Sequence, residues 1–415
     1  MKNATANKLS ETDRQFHDWY RFVLSFPPHL VQQYLSKFGV EPGDTILDPF
    51  CGTGTTLVEA KLGGISSIGI EANPMAHFAS SVKVNWSIDP DELLKHASEV
   101  AANAQTAIES NVEPELRSLP EESLSLLLKN SISPRPLHKT LVLLDVISNN
   151  SDIHLHAHEK LALAKSLVYS SSNLHFGPEV GVRKTKKLDA PVVESWLAEV
   201  ETVAEDIRGA DAAGAASVVH HADSRHLSAL LEPESIDAVF TSPPYPNEKD
   251  YTRTTRLESV LLGFIRNKNE LRNLKQGLLR SNTRNVYKND IDDAWVLDHS
   301  EIQRIADEIE RRRIAMGKTS GFERMYSRVT KLYFGGMLRH LAELRPFLKR
   351  GAYLGYVVGD QASYLRVMIR TGQLLADIAS SLGYSVEAVD LFRTRLSTTT
   401  REQLREEVVV LRWAG

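Results

Sequence analysis

The 415-residue sequence has little cysteine, no long apolar run and no excess of positive charge. Cys51 is its single cysteine, which excludes an internal disulfide and a cysteine-rich zinc site. No run approaches the roughly 18 apolar residues that a membrane span needs, and the start, MKNATANKLSETDRQ, lacks the apolar core of a signal peptide. We therefore expect a cytoplasmic protein with no metal centre and no membrane partner.

The charge balance restricts how the chain could bind nucleic acid. Its formal net charge is -4, with 49 Lys and Arg against 53 Asp and Glu, whereas phosphate binding needs concentrated positive charge. Any DNA contact must therefore be local. The hydrophobic fraction of 42% is ordinary for a globular protein and allows a large core. We expect two domains, or one domain with insertions.

A glycine-rich turn follows a short apolar strand near the amino end. Residues 44–56 read DTILDPFCGTGTT, in which the strand runs into Asp48 and the turn carries Gly52 and Gly54. A helix follows, and a second strand, SSIGIEANP, ends at Glu71. Glu71 lies about 20 residues beyond Asp48, the spacing at which doubly wound folds place a ribose-binding acid. A dehydrogenase is disfavoured, because the turn lacks the third glycine of the GxGxxG form.

A second strand-to-loop junction carries groups suited to amino-group chemistry. Residues 236–245 read IDAVFTSPPY, so an apolar strand runs directly into Ser242, Pro243, Pro244 and Tyr245. Two consecutive prolines fix φ and end the strand ladder. This predicts a rigid loop at the carboxyl edge of a sheet, where doubly wound folds bind their ligands.

Together the two motifs resemble those of the amino-directed (N4-cytosine/N6-adenine) DNA methyltransferases. DPFCGTGTT is similar to the family's cofactor motif, and Ser-Pro-Pro-Tyr to its catalytic motif. The serine form is typical of N4-cytosine enzymes, although some serine forms modify adenine N6. The resemblance implies the α/β class and a Rossmann-like class I S-adenosylmethionine-dependent methyltransferase fold, with a seven-stranded, mostly parallel sheet and helical insertions. It also implies methyl transfer from S-adenosyl-L-methionine to double-stranded DNA, with cytosine N4 as the first expectation.

The chemistry gives each residue of the catalytic motif a role. An exocyclic amino nitrogen is a poor nucleophile, because its lone pair is delocalised into the ring. The Ser242 side chain and the Pro243 carbonyl are acceptors suited to drawing it toward tetrahedral geometry. A base in a duplex must be flipped out to react, and stacking on Tyr245 would recover part of the cost. The predicted catalytic residues are Ser242, Pro243, Pro244 and Tyr245.

The resemblance also assigns residues to the cofactor. The glycine turn would lie along the methionine portion, Glu71 would accept hydrogen bonds from the ribose hydroxyls, and the entry to the preceding helix would touch the methionine tail. Asp223 would lie near the adenine, although an aspartate there could also only cap a helix. The predicted cofactor-binding residues are Phe26, Pro27, Asp48, Pro49, Phe50, Gly52, Gly54, Thr55, Glu71 and Asp223.

The rest of the pattern completes the sheet around two insertions. After residue 325 the chain reads as helix, strand, helix (366–383) and two strands. The predicted division is a cofactor-binding half (1–89), a helical insertion for target recognition (90–215), the catalytic part of the core (216–262), a basic insertion (263–325) and the remainder of the core (326–415).

Basic segments near both motifs are candidates for DNA contact. In the first insertion, SSNLHFGPEVGVRKTKK breaks the helical pattern, and its glycines, proline and clustered basic residues predict a loop that grips phosphate. Residues 245–264 carry further candidates behind the catalytic loop. A solvated charged face is the alternative in each case. The predicted DNA-binding residues are Arg183, Lys184, Lys186, Lys187, Tyr251, Arg253 and Arg256.

Rival functions stay open on the sequence alone. RNA guanine-N2 and protein glutamine methyltransferases use an Asn/Asp-Pro-Pro-Tyr loop on this fold, but they usually have Asn or Asp where this chain has Ser242. A non-catalytic DNA-binding regulator would not need both motifs intact. Beyond DNA, a cognate restriction endonuclease or phage-defence proteins are the partners that a DNA methyltransferase would suggest.

Overall fold

The computed structural model describes residues 9–10, 13–21, 25–110, 116–177, 179–210, 215–247, 249–397 and 400–415. Part of the amino-terminal stretch considered for a signal peptide, Pro178 of the glycine-proline loop and Glu248 behind the catalytic motif lie outside these residues. The strands are β1 (Thr45–Asp48), β2 (Ser66–Glu71), β3 (Leu174–Phe176), β4 (Val180–Val182), β5 (Ser217–His221), β6 (Ile236–Thr241), β7 (Leu348–Gly359), β8 (Tyr384–Leu396) and β9 (Gln403–Trp413).

The helices fall mainly in the two insertions and around the sheet. They are α1 (Pro28–Phe38), α2 (Thr55–Leu62), α3 (Pro74–Lys83), α4 (Pro90–Ser110), α5 (Glu121–Leu124), α6 (Pro134–Asn149), α7 (His156–Ser166), α8 (Val192–Arg208), α9 (Tyr251–Thr254), α10 (Arg256–Leu261), α11 (Lys268–Gly277), α12 (Ser300–Ala315), α13 (Tyr326–Leu344) and α14 (Thr371–Ser381). A π-helical turn, Leu167–Ser171, extends α7, and short 3-10 turns include Thr283–Asn285 and Asp292–Val296.

Seven strands form one sheet in the order β5-β2-β1-β6-β7-β9-β8. β1 pairs in parallel with β2 and β6, β6 pairs in parallel with β7, and β9 is antiparallel to both β7 and β8. β1 and β6 are therefore neighbours, and their carboxyl ends lie at the same sheet edge. This is the class I S-adenosylmethionine-dependent methyltransferase fold, and it confirms the α/β class and the seven-stranded, mostly parallel sheet predicted from the motifs.

Both faces of the sheet are covered, because successive strand residues point to opposite sides. Ile46 packs on one face with α1, while the next residue, Leu47, packs on the other face with α13 and α14. α1 begins at Pro28 and ends before Gly39, which adopts a left-handed conformation with φ 68°. The buried positions of α1 include Leu30, Val31, Tyr34 and Leu35.

The two insertions pack on the core rather than standing apart from it. Helices α4, α7 and α8 share a hydrophobic cluster with α2 and α3, which includes Leu57, Met75, Leu93 and Trp196. From the second insertion, Ile302 and its neighbours on α12 join the cluster around α13. Among the described residues, no helix is long and apolar enough to cross a membrane, and no cluster of three or more His, Cys, Asp or Glu side chains could hold a metal ion.

Two local predictions need correction. The helix predicted over residues 366–383 begins only at Thr371, because Gln361 pairs with Ile369 in a β-bridge that makes the intervening residues a closed loop. In the first insertion, the segment predicted as a loop contains an antiparallel hairpin of β3 and β4. Strands as short as these, of three residues each, leave almost no alternating pattern to detect.

Candidate active site

A cavity of about 500 Å³ lies at the carboxyl edge of the sheet. Its lining includes residues that directly follow four strands: Pro49 after β1, Ala72 after β2, Ala222 after β5 and Ser242 after β6. Parallel strands that end together bring their loops together, and this is the edge at which open α/β sheets bind ligands. The glycine-rich and Ser-Pro-Pro-Tyr loops therefore share one cavity.

Glycine conformation shapes the turn after β1. Gly52 and Gly54 have φ of 52° and 81°, in the left-handed region that other residues rarely adopt. A Cβ on Gly54 would also lie only 3.0 Å from Cβ of Ser80 on α3. The turn can therefore pack closely on α3 and lead into α2, and the backbone nitrogen of Gly52 donates to Oε2 of Glu71 at 2.8 Å.

Asp48 is fully buried at the end of β1. Its Oδ1 accepts hydrogen bonds from the Thr241 hydroxyl at 2.6 Å and from the Phe50 backbone nitrogen at 3.2 Å, whereas its Oδ2 has no partner. Burial raises the pKa of Asp48 to about 6, against the opposing effect of these hydrogen bonds. Asp48 therefore lies behind the cavity wall and connects the cofactor strand to the catalytic strand.

Glu71 lines the cavity at the end of β2. Its Oε1 accepts from the backbone nitrogen of Asn73 at 2.7 Å, and its Oε2 accepts from that of Gly52. Each carboxylate oxygen can accept more than one hydrogen bond, so capacity remains for a hydroxyl donor. Burial raises the pKa of Glu71 to about 7, although the backbone hydrogen bonds oppose that rise.

Asp223 also lines the cavity, just after β5. Arg225 donates to it from its backbone nitrogen at 3.0 Å and from its guanidinium, with Nη2 2.6 Å from Oδ2. Burial alone would raise the pKa of Asp223, but the hydrogen bonds and charge of Arg225 outweigh burial and lower it. Arg225 also bonds Asp292, so the second insertion helps to fix a charged acceptor at this end of the cavity.

The Ser-Pro-Pro-Tyr loop presents the Ser242 oxygen to the cavity. The Ser242 hydroxyl donates to the carbonyl of Val357 at 3.1 Å. A hydroxyl has one proton to donate and two lone pairs, so this bond leaves the Ser242 oxygen as an acceptor. Tyr245 lies against Gly359 on β7, where an added Cβ would be 2.8 Å from its ring. The neighbouring strand thus orients both side chains.

Most predicted cofactor and catalytic residues line this cavity. Those in its wall are Phe26, Pro49, Phe50, Gly52, Thr55, Glu71, Asp223, Ser242, Pro243, Pro244 and Tyr245. Three predicted cofactor residues, Pro27, Asp48 and Gly54, are not part of the wall. Pro27 and Asp48 are buried, and Gly54 allows the turn to pack closely on α3.

The predicted DNA-binding residues around the catalytic loop differ in how freely they face solvent. Tyr251 lines the cavity, and Arg253 lies 3.6 Å from Glu179 of the hairpin. Arg256 donates to the Thr252 carbonyl and hydroxyl and to the Leu126 carbonyl. Through these bonds Arg256 has a structural role, because it joins α10 to the first insertion.

The basic residues after the hairpin are partly tied to the backbone. Arg183 and Lys184 are exposed, and Nε of Arg183 donates to the Leu174 carbonyl at 3.0 Å. Lys186 donates to the Arg183 carbonyl, and Lys187 donates to the Ser170 carbonyl at 2.5 Å. Lys184 therefore presents the most accessible charge of this group.

Sequence reasoning missed a second set of cavity residues. They are Lys249, Ser281, Asn285, Gln361, Arg393, Arg395 and Glu406. Lys249 lies four residues after the Ser-Pro-Pro-Tyr motif. The others come from the second insertion, the loop after β7 and the β8–β9 hairpin, none of which carries a recognisable motif. These residues share only their position beside the Ser-Pro-Pro-Tyr loop. That position is set by the folded structure, so no sequence pattern identifies them.

Comparisons with known proteins agree with this geometry. A family model described as DNA methylase matches residues 3–80. The chain is 29% identical to a Type II methyltransferase, M.BsoBI, of Geobacillus stearothermophilus over 96% of this chain and 84% of that protein. It is 25% identical to the Type II methyltransferase M.AvaI of a Nostoc strain, over 95% of this chain and 86% of that protein.

A shorter similarity points the same way. The chain is 42% identical to the Type II methyltransferase M.MjaII of Methanocaldococcus jannaschii over 79 residues, which are 18% of this chain and 14% of that protein. The two longer similarities extend through both motifs, both insertions and the sheet, so the likeness is not confined to the glycine turn. The motifs, the sheet order, the shared cavity and these similarities together support the family of amino-directed DNA methyltransferases.

Proposed function

We propose that this protein transfers a methyl group from S-adenosyl-L-methionine to the exocyclic amino group of a base flipped out of double-stranded DNA, with cytosine N4 as the target. The observation that carries the proposal is the orientation of Ser242. Its hydroxyl donates to the carbonyl of Val357, which leaves an oxygen lone pair that can accept from an amino group in the cavity. Adenine N6 is the alternative target, because the same acceptor would serve it.

The residues of the cavity fit the cofactor. Glu71 in the wall can accept from ribose hydroxyls. In their ionised forms Glu71 and Asp48, which is buried behind the wall with its Oδ2 unpartnered, would add negative potential near a cationic sulfonium. Asp223, held as a charged acceptor by Arg225, would accept from the amino group of the adenine. Bound S-adenosyl-L-methionine would supply an electrophilic methyl group, which leaves sulfur as the amino nitrogen attacks it.

The chain's own groups activate the amino nitrogen. Its two protons would be accepted by the Ser242 hydroxyl oxygen and the Pro243 carbonyl, which draws the lone pair out of the ring and toward the methyl group. Pro243 and Pro244 keep these acceptors fixed, because their φ angles are restricted. The methylated nitrogen is cationic and loses one proton to solvent, so no strong base is needed from the protein.

Tyr245 would hold the flipped base. Stacking on an aromatic ring stabilises an unpaired base, and Tyr245 is kept in place by its contact with Gly359. The exposed Arg183 and Lys184 would contact the phosphate backbone nearby. The similarity to Type II methyltransferases supports DNA as the substrate, and a cognate restriction endonuclease would be the partner.

The experiment is methyl transfer from labelled S-adenosyl-L-methionine to unmethylated double-stranded DNA, tRNA and a mixed protein extract, in separate reactions. Label in DNA alone is expected, and its loss in the Ser242→Ala variant would assign it to this site. Label in tRNA or protein, with none in DNA, would overturn the proposal. A Ser98→Ala variant, altered on the exposed face of α4, is the matched control.

A further inference from the structure

The cavity extends past the catalytic loop to a wall that the proposed chemistry does not use. Two segments distant in sequence form part of this wall: the 3-10 turn Thr283–Asn285 of the second insertion and the loop that begins at Gln361 after β7. Each contributes a carboxamide side chain, Asn285 and Gln361, to the cavity lining.

Both carboxamides are buried and incompletely bonded. Asn285 is 2% exposed and its Oδ1 has no hydrogen-bond partner, while Gln361 is 3% exposed and its Nε2 has none. Buried polar atoms are nearly always paired, because an unpaired one loses its hydration without compensation. Two such atoms in the wall of one cavity indicate a ligand that would satisfy them.

Contacts place this pair beside the catalytic loop. Gln361 lies two residues after Gly359, on which Tyr245 rests. In the other segment, the Asn282 side chain, next to the turn, donates to the carbonyl of Lys249 at 3.1 Å. One segment therefore lies beside Tyr245 and the other beside Lys249, close to where the base would lie. Glu71 and Asp223, in contrast, follow strands of the cofactor side.

The loop that carries Gln361 is held in an unusual conformation. Leu365 and Arg366 have positive φ of 53° and 63°, which is uncommon for residues other than glycine. Arg312 of the second insertion donates to both of their carbonyls, at 3.3 and 3.0 Å, and Tyr364 donates to the Ser281 carbonyl at 3.1 Å. Strained backbone that is fixed by its surroundings often marks a functional site.

We propose that Gln361 and Asn285 are specificity-determining residues that hydrogen-bond the ring edge of the flipped base. The inference rests on the proposed function, since it concerns the base whose amino group reaches Ser242. Beside that amino group cytosine has two acceptors, N3 and O2, whereas adenine has one acceptor, N1, followed by a C–H. The Gln361 amide carries two N–H donors, which cytosine satisfies and adenine does not. The unpaired Oδ1 of Asn285 is an acceptor, so it would reach O2 of cytosine through a bridging water that donates to both oxygens.

The test compares Gln361→Met and Asn285→Leu, which keep side-chain size but remove the polar atoms, with Gln373→Met on α14, where the side chain bonds only Asp377 at the surface. For each protein, kcat/KM is measured on DNA copied with dCTP and on DNA copied with 2-thio-dCTP, in which a weaker acceptor replaces O2. Calorimetry of S-adenosyl-L-methionine binding checks that each variant is folded.

For Gln361→Met we expect kcat/KM on ordinary DNA to fall about 10- to 100-fold, as for the loss of a buried hydrogen bond, with cofactor affinity within about twofold of wild type. Wild type and Gln373→Met should both react more slowly with thio-substituted DNA. Gln361→Met should react almost equally with the two DNAs, because the contact is already lost. A purely structural effect would slow both reactions by the same factor.

The proposal is overturned if Gln361→Met keeps wild-type kcat/KM, or if it discriminates between the two DNAs as wild type does. It is also overturned if the wild-type product is N6-methyladenine. If Gln361→Met fails to bind cofactor, Asn285→Leu becomes the test of the proposal. It should lose DNA turnover without losing cofactor affinity. Failure of the proposed function itself would be distinguished by the wild-type protein, which would then leave every DNA unmethylated.

Discussion

The hydroxyl of Thr241 donates a hydrogen bond of 2.6 Å to Oδ1 of Asp48, across 193 positions of sequence. Both side chains are fully buried. Asp48 ends the strand that precedes the glycine turn, and Thr241 is the residue before Ser242. Together with the pairing of β1 and β6, this bond therefore helps to fix the glycine turn relative to the Ser-Pro-Pro-Tyr loop. Methyl transfer requires such alignment, because reacting atoms must be held closely in line.

Removing this bond should uncouple the two loops. In Thr241→Val the shape is kept, but Asp48 Oδ1 retains only the Phe50 backbone donor. We expect a loss of about 1–3 kcal/mol in the free energy of unfolding, and a fall in kcat of about 10-fold or more. Denaturant unfolding and single-turnover methylation measure the two effects. Thr106→Val, on the exposed surface of α4, should change neither, and unchanged turnover in Thr241→Val would refute the coupling.

Ser242→Ala isolates the acceptor role. The variant keeps the loop but removes the oxygen that faces the amino group, an interaction that matters most as charge develops. We expect kcat to fall about 100-fold or more, as for the loss of one oxyanion-type contact, with cofactor Kd within about twofold. Rapid-quench kinetics and calorimetry provide the two numbers. Equal losses of turnover and cofactor affinity would show that the loop had collapsed instead.

Cofactor affinity should depend on pH through Glu71. Burial raises the pKa of Glu71 in the free protein to about 7, and ribose hydroxyls donate better to the charged form. Bound cofactor should therefore lower this pKa, so affinity rises as pH increases through 7. Below that pH it should weaken by up to about tenfold per pH unit. Calorimetry between about pH 6 and pH 8 would show this.

The Glu71→Gln variant is the control for that pH dependence. It cannot titrate at this position, so its cofactor affinity should be weaker than wild type at high pH and nearly flat across the range. A wild-type Kd that does not vary with pH would contradict the role of Glu71. So would a Glu71→Gln variant with the same slope as wild type, since another group would then be responsible.

Gly359→Ala tests whether β7 positions Tyr245. The new Cβ would lie 2.8 Å from the Tyr245 ring, so the ring must move. We expect kcat/KM for DNA to fall about tenfold through a misplaced base, with cofactor Kd unchanged. Gly321→Ala, where an added Cβ meets nothing within 4 Å, is the matched control. Full activity in Gly359→Ala would show that the base does not depend on this ring position.

The fold was largely predictable because its strongest signals are local. Apolar strands that end at Asp48, Glu71 and Thr241 each meet a distinctive loop, and they lie in the sheet as the motifs predict. The start of α14 was not predictable, because a β-bridge between Gln361 and Ile369 overrides the helical pattern before it. Tertiary pairing of this kind leaves no mark in local composition.

The far side of the cavity was not predictable for the same reason. Asn285, Gln361 and Arg393 lie in segments with no common spacing, and packing alone brings them to one wall. The cluster of basic residues after the β3–β4 hairpin also did not indicate which of its side chains are accessible. Lys186 and Lys187 turn back to backbone carbonyls, whereas Lys184 stays exposed, a difference that net charge cannot show.

A phosphate contact at this exposed lysine should appear in the salt dependence of DNA binding. Charge reversal in Lys184→Glu is expected to reduce the slope of log affinity against log salt concentration by about one. Titrations of fluorescent duplex DNA at several salt concentrations measure it. Lys95→Glu, at an exposed position of α4, controls for the change in net charge. Equal slopes in the two variants would show that Lys184 does not contact phosphate.

The identity of the methylated nucleoside tests the central claim most directly. Unmethylated DNA is incubated with the protein and S-adenosyl-L-methionine, digested to nucleosides and resolved by mass spectrometry, with Ser242→Ala in parallel. We expect N4-methylcytosine from wild type and a strongly reduced yield from the variant. The absence of any amino-methylated nucleoside from wild type that still binds cofactor and DNA would contradict the claim.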